Sequence, residues 1–366
     1  MRVLFNNIYQ NKKVFITGHT GFKGAWLSFW LRQLGANVIG FSNNIPTKPA
    51  LFNILELDKI IDHNLGDIRD YDNLLSILKF KKPDFIFHLA AQSIVRKSYS
   101  NPTETMTTNI IGVNNILDVV RIIGRKCNII IVTSDKCYDN MELKRGYIEN
   151  DILGGKDPYG ASKGAAELVV KAYYHSFFKS QDLIKVATAR AGNVIGGGDW
   201  AIGRIIPDCI RAWEENQKVE IRNPESTRPW QHVLEPLSGY LHLGHLLNKN
   251  NLNGESFNFG PLQKNDHTVL KLIEKMNKRY FGNNTKAYQL AEESAFPEAK
   301  LLKLDCSKAK EKLNWKPSLN FENTVNLTAD WYSKYGNSDI KNLNKLQIED
   351  FCNIANENKA PWIKSQ

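Results

Sequence analysis

Cysteines are few in this sequence, and no two of them form a recognisable motif. The 366 residues include five cysteines, an odd number, with no C-x-x-C spacing. This usage excludes a scaffold held together by disulfides and is typical of proteins in the reducing cytoplasm. We therefore expect a cytoplasmic protein without a metal site, in which the thiols are idle. They are Cys127, Cys137, Cys209, Cys306 and Cys352.

Long hydrophobic runs are also missing. No stretch approaches the roughly 20 apolar residues of a membrane span, and the initial MRVLFNNIYQNKK has too short an apolar stretch for a signal peptide. The sequence contains no internal repeat and no low-complexity tract. Hydrophobic residues nevertheless make up 42% of the chain, which is enough for a sizeable core. We expect a globular protein with no membrane partner.

The net charge of +10 comes without a basic cluster. Lysine and arginine are spread along the chain, and no nucleic-acid-binding motif is present, so a nucleic-acid partner is not expected. A basic surface also attracts small phosphorylated molecules. The charge leaves two interpretations open, a lysine-rich surface or a phosphate-bearing ligand.

Short apolar segments alternate with helical ones over the first 190 residues. KKVFIT, ANVIGFS, DFIFHLAA, CNIIIVTS and IKVATARA are typical of strands, and segments such as FKGAWLSFWLRQLG and PYGASKGAAELVVKAYYHSFF have helical spacing. This alternation predicts an α/β fold, a doubly wound parallel sheet of the Rossmann type. The active crevice of such a sheet lies at the carboxyl ends of its strands.

The pattern changes after residue 192. Glycine-rich and irregular stretches come first, and helical segments follow around 205–216, 233–248, 267–279 and 321–335. We predict a cofactor-binding Rossmann domain over 1–192, which regains a strand from about 228–262. A smaller, mostly helical substrate lobe is predicted over 193–336. Residues 337–366 are polar and weakly patterned, and no role is predicted for them.

The segment TGHTGFKG lies between the first strand and the first helix. Its three glycines permit a tight turn, close approach of a diphosphate to the backbone, and close packing of the helix on the sheet. This order of strand, turn and helix predicts dinucleotide binding. His19 and Lys23 either contact phosphate or face solvent. The candidate cofactor residues in this segment are Gly18, His19, Gly21, Phe22, Lys23 and Gly24.

The end of the second strand, VIGFSNNIP, bears on the choice of dinucleotide. It has no acidic residue to bind the 2′-hydroxyl of an adenosine ribose, and no arginine to bind a 2′-phosphate. Asn43 or Asn44 could donate a weaker hydrogen bond to the hydroxyl. NAD is therefore favoured over NADP.

Two further segments carry titratable residues. In PYGASKG, Tyr159 and Lys163 are four residues apart and share one face of a helix. An ammonium beside a phenol is expected to lower the pKa of the phenol, so that the phenolate can act as a base. In TSDK, Ser134, Asp135 and Lys136 follow a buried strand at the same edge of the sheet. The alternative for Asp135 and Lys136 is a structural ion pair.

Together these motifs resemble those of the extended short-chain dehydrogenase/reductase superfamily. TSDK is similar to the Thr-Asp-Glu segment of its nucleotide-sugar 4,6-dehydratases. TGHTGFKG, TSDKCYDN, RAGNVIGGGDW and RNPESTRPWQHVLEPLSGY resemble the CDP-glucose 4,6-dehydratase family over about Lys12 to Tyr332. The resemblance implies NAD-dependent conversion of CDP-D-glucose to CDP-4-keto-6-deoxy-D-glucose, toward dideoxy sugars of surface polysaccharide. It also implies a homo-oligomer, either a dimer or a tetramer.

The resemblance implies roles for individual residues. Ser134 would bind the reacting oxygen, Asp135 would be the acid for water loss, and Lys136 stands where the family has a glutamate base. Further cofactor contacts would come from Asp67, Ile68, Ala90 and Ala91. Substrate contacts would come from Gln92, Arg96, Asn193, Arg204, Arg228, Trp230 and His232.

Several of these roles have plain alternatives. Asp67 could instead cap a helix, Arg204 and Arg228 could be surface charge, and Trp230 and His232 could simply pack the pocket wall. Asn44 departs from the family, which often has an acid there.

Two other functions remain open at this point. One is an epimerase, or a dehydratase for a different nucleotide-sugar, although an epimerase does not need the Asp135–Lys136 pair. The other is a binding protein on the same fold. Such proteins usually lose the catalytic tyrosine or lysine, and both are retained here.

Overall fold

The computed structural model describes residues 2–249, 251–261, 267–282, 287–290 and 301–364. Its centre is a sheet of seven parallel strands. These are β1 (Lys13–Thr17), β2 (Asn37–Ser42), β3 (Asp62–Leu65), β4 (Phe85–His88), β5 (Cys127–Val132), β6 (Ile184–Ala191) and β7 (Ser256–Phe259).

The order of the strands in the sheet determines where the crevice lies. The strands lie in the order β7-β6-β5-β4-β1-β2-β3, so the winding reverses between β1 and β4. Ligands of open parallel sheets bind at such a reversal, beyond the carboxyl ends of the strands. The predicted doubly wound parallel sheet is confirmed.

Both faces of the sheet are covered, which explains the nearly continuous apolar strands. Successive side chains point to opposite faces, so Val14 and Ile16 join one core cluster while Phe15 joins another. In β5, Ile130 packs with the first cluster, and Ile129 packs with the second.

Four long helices connect the strands of the amino-terminal half. They are α1 (Phe22–Gln33), α2 (Tyr71–Lys81), α3 (Gly112–Ile123) and α4 (Pro158–Tyr173). Short helices lie at Leu51–Ile54, Val95–Ser100 and Pro102–Met106, and π-helical turns at Thr107–Ile111 and Tyr174–Phe178 flank the longer ones. The start of α4 is set by Pro158 and by the Asp157 side chain, which accepts from the Gly160 N–H at 2.9 Å.

The carboxyl-terminal half is mostly helical. Its helices are α5 (Ile205–Glu214), α6 (Leu234–Leu247), α7 (Val269–Phe281), α8 (Ser307–Leu313), α9 (Phe321–Lys334) and α10 (Ile340–Glu357). Strand β7 lies inside the range 228–262 and pairs with β6, Ser256 opposite Thr188. Parts of the predicted lobe, at 250, 262–266, 283–286 and 291–300, lie outside the described residues.

Residues 337–364, for which no structure was predicted, pack back onto the start of the chain. Ile363–Lys364 pairs antiparallel with Val3–Leu4, and the Trp362 ring stacks on Phe5 with centroids 5.0 Å apart. Within the described ranges, no helix has the length and apolar character needed to cross a bilayer.

Candidate active site

The segment after β5 brings three polar side chains to the crevice. Ser134 precedes a short 3₁₀ turn, Asp135–Cys137, and its hydroxyl donates to Asp135 Oδ1 at 2.9 Å. The same hydroxyl accepts from the Lys136 N–H at 3.3 Å. The Lys136 side chain is half-buried, and its charge acts on Asp135.

Asp135 is buried, with 3% of its surface exposed, and its second carboxylate oxygen has no hydrogen-bond partner among the described residues. Burial raises the pKa of Asp135, and the cations of Lys136, Lys23 and Arg228 oppose that shift without cancelling it. The carboxyl group therefore favours its protonated form more than an exposed aspartate does. A protonated acid with one uncommitted oxygen is suited to donate a proton to a ligand.

Tyr159 and Lys163 lie one turn apart on α4. Burial raises the pKa of Tyr159 to about 12, while a hydrogen bond with Ser134 acts in the opposite direction. Burial lowers the pKa of Lys163 to about 8, and its Nζ lies 6.0 Å from the centre of the Tyr159 ring. In the chain alone, burial and the charge of Asp135 outweigh Ser134 and Arg204, so the pKa of the phenol lies above its usual value.

The glycine loop approaches the end of β4 closely. Gly18 has a φ of +73°, and a Cβ on it would lie 2.8 Å from the Ala90 nitrogen. A Cβ on Gly24 would lie 2.1 Å from the Gly18 carbonyl oxygen, so α1 packs directly on the loop. Among the described residues, a Cβ on Gly21 would have one atom outside its chain neighbours within 4 Å, the Gly18 oxygen at 3.4 Å. The loop therefore has the closeness and the open side that a dinucleotide diphosphate requires.

Two side chains of this loop, His19 and Lys23, have neighbours that the sequence did not indicate. The ring nitrogens of His19 are both engaged, with Ser42 Oγ at 2.9 Å and with His63 Nδ1 at 2.7 Å. The ring therefore contacts β2 and β3, and a contact of His19 with the cofactor stays a prediction. Lys23 is half-buried. Burial, with repulsion from Arg204, lowers its pKa to about 8, while Asp135 attracts it. Its charge thus acts on the acid of the crevice.

The expected adenosine end of the cofactor site is built from the ends of β2 and β3. Asn44 is exposed, and its carbonyl oxygen accepts from Thr20 Oγ1 at 2.6 Å. The Asp67 carboxylate binds Arg69 at 2.9 and 2.6 Å, and this bond lowers the pKa of Asp67. Asp67 is not the cap of α2, since that cap is Asp70.

Ile68 and Ala90, whose side chains are apolar, lie next to this part of the crevice. Ile68 is buried beside Gly112, where a Cβ would meet its Cγ2 at 2.8 Å. Ala90 donates its N–H to Thr17 Oγ1 at 3.1 Å, and Ala91 follows it, half-buried. Because the side chains of Ala90 and Ala91 are small, the backbone that follows β4 can lie directly beside the glycine loop.

Gln92 and Arg96 lie in the loop after β4 and in the helix that follows. The Gln92 amide donates to Thr105 Oγ1 at 2.9 Å and to the Ile94 carbonyl at 3.1 Å, and it accepts from the Ile94 N–H at 2.7 Å. The Gln92 side chain thus holds the loop, and its substrate contact stays a prediction. Arg96 is exposed on Val95–Ser100.

The opposite wall of the crevice carries two arginines. Arg204 pairs with Asp199 at 2.8 Å and donates to Ser93 Oγ at 3.0 Å, and its charge acts on Tyr159. Arg228 lies close enough to Asp135 to lower the pKa of its carboxyl. The structure therefore brings both cations to the catalytic groups.

Asn193 lies beside the acid. It follows Gly192, where a Cβ would lie 3.2 Å from the uncommitted Oδ2 of Asp135, and its carbonyl accepts from the Gln231 N–H at 3.1 Å.

Trp230 and His232 are buried, with 4% and 0% of their surface exposed. Trp230 Nε1 donates to the His267 carbonyl at 3.1 Å, and the His232 ring packs edge-on against Trp26. Burial lowers the pKa of His232 to about 3. Both side chains pack in the crevice wall, and their substrate contacts stay predictions.

Sequence reasoning missed three features of the site. Asp199 orients Arg204, and Glu167 pairs with Arg190 behind the catalytic segment. Tyr240 is buried near Tyr159 and Asp135, and burial together with these two groups raises the pKa of its hydroxyl. The position of Glu167 one turn after Lys163 was a usable signal. Nothing in the sequence pointed to Tyr240.

Comparison with known proteins agrees with this geometry. A profile of the family described as GDP-mannose 4,6 dehydratase matches residues 15–328. A CDP-glucose 4,6-dehydratase of Salmonella typhimurium is 44% identical over 355 residues, covering 95% of this chain and 98% of its own. A CDP-paratose 2-epimerase of Salmonella typhi is 26% identical, covering 88% and 99%.

Solved structures share the fold. The epimerase Mth375 of Methanothermobacter thermautotrophicus has a TM-score of 0.79 at 24% identity, covering 90% of this chain and 94% of its own. The dTDP-glucose 4,6-dehydratase of Bacillus anthracis, solved in complex with NAD, has a TM-score of 0.74 at 23% identity, covering 88% and 97%.

The sheet, the glycine loop and the Tyr159–Lys163 pair define an extended short-chain dehydrogenase/reductase. Within that class, the chain belongs to the family of nucleotide-sugar 4,6-dehydratases that the matching profile describes.

Proposed function

We propose that the protein dehydrates CDP-D-glucose to CDP-4-keto-6-deoxy-D-glucose and binds NAD to do so. The buried Asp135, whose pKa is raised and whose second oxygen is uncommitted, carries this proposal. The relative that is 44% identical is named a CDP-glucose 4,6-dehydratase, which supports cytidine as the base. The product would feed the synthesis of dideoxy sugars of surface polysaccharide.

The chain supplies the proton transfers at three neighbouring sugar carbons. Tyr159 removes the proton of the C4 hydroxyl, with Ser134 bonded to the same oxygen and Lys163 below. The glycine loop would hold NAD, which would supply reversible hydride transfer between C4 and C6 of the sugar. The C4 ketone acidifies the C5 proton, which Lys136 removes, and Lys136 donates a proton back to C5 when the hydride reaches C6. Asp135 donates a proton to the C6 hydroxyl, which leaves as water.

The residues around the glycine loop fit NAD. Gly18, Gly21 and Gly24 would hold the diphosphate, and Asn44 would meet the adenosine ribose. No arginine directly follows β2 to bind a 2′-phosphate. Calorimetric titration should therefore show tighter binding of NAD than of NADP, and equal affinities would contradict the choice of cofactor.

A panel of nucleotide-glucoses tests the function. We expect CDP-glucose to lose one water by mass spectrometry and to develop the absorbance of a 4-keto sugar in alkali. A product of unchanged mass would favour the second candidate, an epimerase, which the similarity to CDP-paratose 2-epimerase makes worth testing. Turnover of a different nucleotide would keep the chemistry and change the substrate.

We also propose a cytoplasmic homo-oligomer. All five cysteines are free thiols, as expected of a reducing compartment. Large apolar side chains are exposed on and beside α3 and α4, with Leu168 55% exposed and Phe177 46% exposed. In light scattering, Leu168→Arg should reduce the mass of the assembly, whereas Phe80→Arg on α2 should not. A monomeric wild-type protein would contradict the proposal.

A further inference from the structure

An ion pair without a catalytic role is buried directly behind the catalytic segment. Glu167 of α4 and Arg190 of β6 are joined by two bonds of 2.9 Å, and their side chains are 2% and 3% exposed. A buried ion pair usually stabilises a fold no better than apolar side chains of the same volume. Its position therefore needs an explanation other than stability.

The pair is bonded to both ends of the segment that carries Ser134, Asp135 and Lys136. At one end, Thr133 Oγ1 donates to Glu167 Oε1 at 2.5 Å. At the other end, Arg190 Nη1 donates to the Tyr138 hydroxyl at 2.8 Å, and its guanidinium lies 5.0 Å from the centre of the Tyr138 ring. All of these groups are buried. We call Glu167, Arg190, Thr133 and Tyr138 the clasp.

The same carboxylate belongs to the helix that carries the other catalytic pair. Glu167 follows Lys163 by one turn of α4, and Tyr159 lies one turn before that. Glu167 Oε2 also accepts from Thr188 of β6 at 2.8 Å, which anchors it to the sheet. One charged group thus fixes α4, the sheet and the Ser134–Lys136 segment relative to one another.

We propose that Glu167 and Arg190 are positioning residues that hold the acid and base of the strand end in register with Tyr159 and Lys163. This inference rests on the proposed function, in which protons are moved at adjacent carbons of one sugar. The two pairs must then act within one bound substrate, and displacement by about 1 Å costs up to roughly 100-fold in rate. Neither Glu167 nor Arg190 touches the reacting atoms.

Two threonines allow a matched test. Glu167→Gln would leave the Arg190 charge buried without a counter-ion and is expected to unfold the protein. Thr133→Val and Thr188→Val each remove one buried hydroxyl from the same carboxylate, but only Thr133 adjoins the catalytic segment. We expect both variants to lose similar thermal stability. Thr133→Val should lower kcat roughly 10-fold or more with little change in KM, and Thr188→Val should retain the wild-type kcat.

A second readout does not depend on substrate. By hydrogen exchange, the amides of 134–136 should exchange faster in Thr133→Val than in Thr188→Val. Equal effects of the two variants on kcat and on exchange would overturn the clasp and leave a structural ion pair. Failure of the wild type to convert any nucleotide-glucose would overturn the proposed function, whereas the exchange comparison would still decide the clasp.

Discussion

The side chain of Asp135 is governed by two opposing effects. Removal from water favours its neutral form, and the cations of Lys136, Lys23 and Arg228 favour its charged form. Burial has the larger effect. The result is a carboxyl group with a raised pKa in a crevice lined with positive charge, which also suits a substrate that carries a diphosphate.

The role of Asp135 as an acid predicts a specific pH dependence. A general acid works only while it is protonated, so kcat should fall as the pH rises through the raised pKa of Asp135. Asp135→Asn keeps the size and the bond to Ser134 but cannot donate the proton. We expect kcat to fall by roughly 10²- to 10⁴-fold, measured as formation of the 4-keto product. Asp139→Asn, four residues along, should behave like the wild type. A variant with wild-type turnover would exclude Asp135 as the acid.

Lys136 can be tested separately from Asp135. If Lys136 removes the C5 proton, Lys136→Ala should no longer incorporate solvent deuterium at C5 of the sugar, as followed by NMR. Lys156→Ala is a suitable control, because that lysine is exposed and, within the described part of the chain, bonds only the Asn140 carbonyl. Undiminished uptake at C5 would remove Lys136 from the role of base.

The helices beyond the sheet depend on buried polar contacts as well as on apolar packing. Glu235 of α6 accepts the N–H groups of Ser318 and Leu319, at 2.7 and 2.5 Å, just before α9 begins. Burial raises the pKa of Glu235 from 4.5 to about 8. This carboxyl group joins α6 to the segment that leads into α9.

This contact should make stability depend on pH. Between about 4.5 and about 8, the folded chain holds a proton on Glu235 that the unfolded chain has released. The free energy of unfolding should therefore decrease as the pH rises, by up to about 1.4 kcal/mol per pH unit. Glu235→Gln imitates the protonated group, so urea denaturation should show a flatter dependence and a gain at alkaline pH. The same slope in both proteins would contradict this account.

The two ends of the chain meet around one aromatic cluster. Trp362 is 1% exposed and contacts Phe5, Trp30 and Phe351, and the strand at Ile363–Lys364 pairs with the start of the chain. The carboxyl-terminal segment thus covers the outer side of α1, whose amino terminus forms part of the glycine loop. It belongs to the packed core rather than to a loose tail.

Removal of this anchor should reduce stability without changing the chemistry. Trp362→Ala should lower the free energy of unfolding by about 3–5 kcal/mol, because a large buried ring leaves a cavity. Leu346→Ala on the same segment, at a site 45% exposed, should change it by only about 0.5 kcal/mol. Guanidine denaturation measures both values. Equal losses would contradict the role of the aromatic cluster.

Local chemistry in the sequence was sufficient for the parallel sheet, the glycine loop and the shared helix face of Tyr159 and Lys163. Buried parallel strands read as apolar runs, Gly18 and Gly24 are required by close backbone approach, and Tyr159 and Lys163 share a face through helical spacing alone. β3 escaped prediction because DHNL is polar and lies at the edge of the sheet. The carboxyl-terminal helix α10 was not predicted, because the sequence does not show which element its apolar face packs against. In the fold, Phe351 of this helix packs against Trp30.

Partners that are distant in sequence could not be inferred from local patterns. His19 was expected at phosphate, yet Ser42 and His63 occupy both of its nitrogens. Tyr159 was expected to have a lowered pKa, yet burial raises it. Folding sets the burial of each group and the charges beside it, and these two quantities decide whether a carboxyl, phenol or imidazole holds its proton. The sequence therefore determines which groups are available for the chemistry, and the packing of the chain determines the state in which each one works.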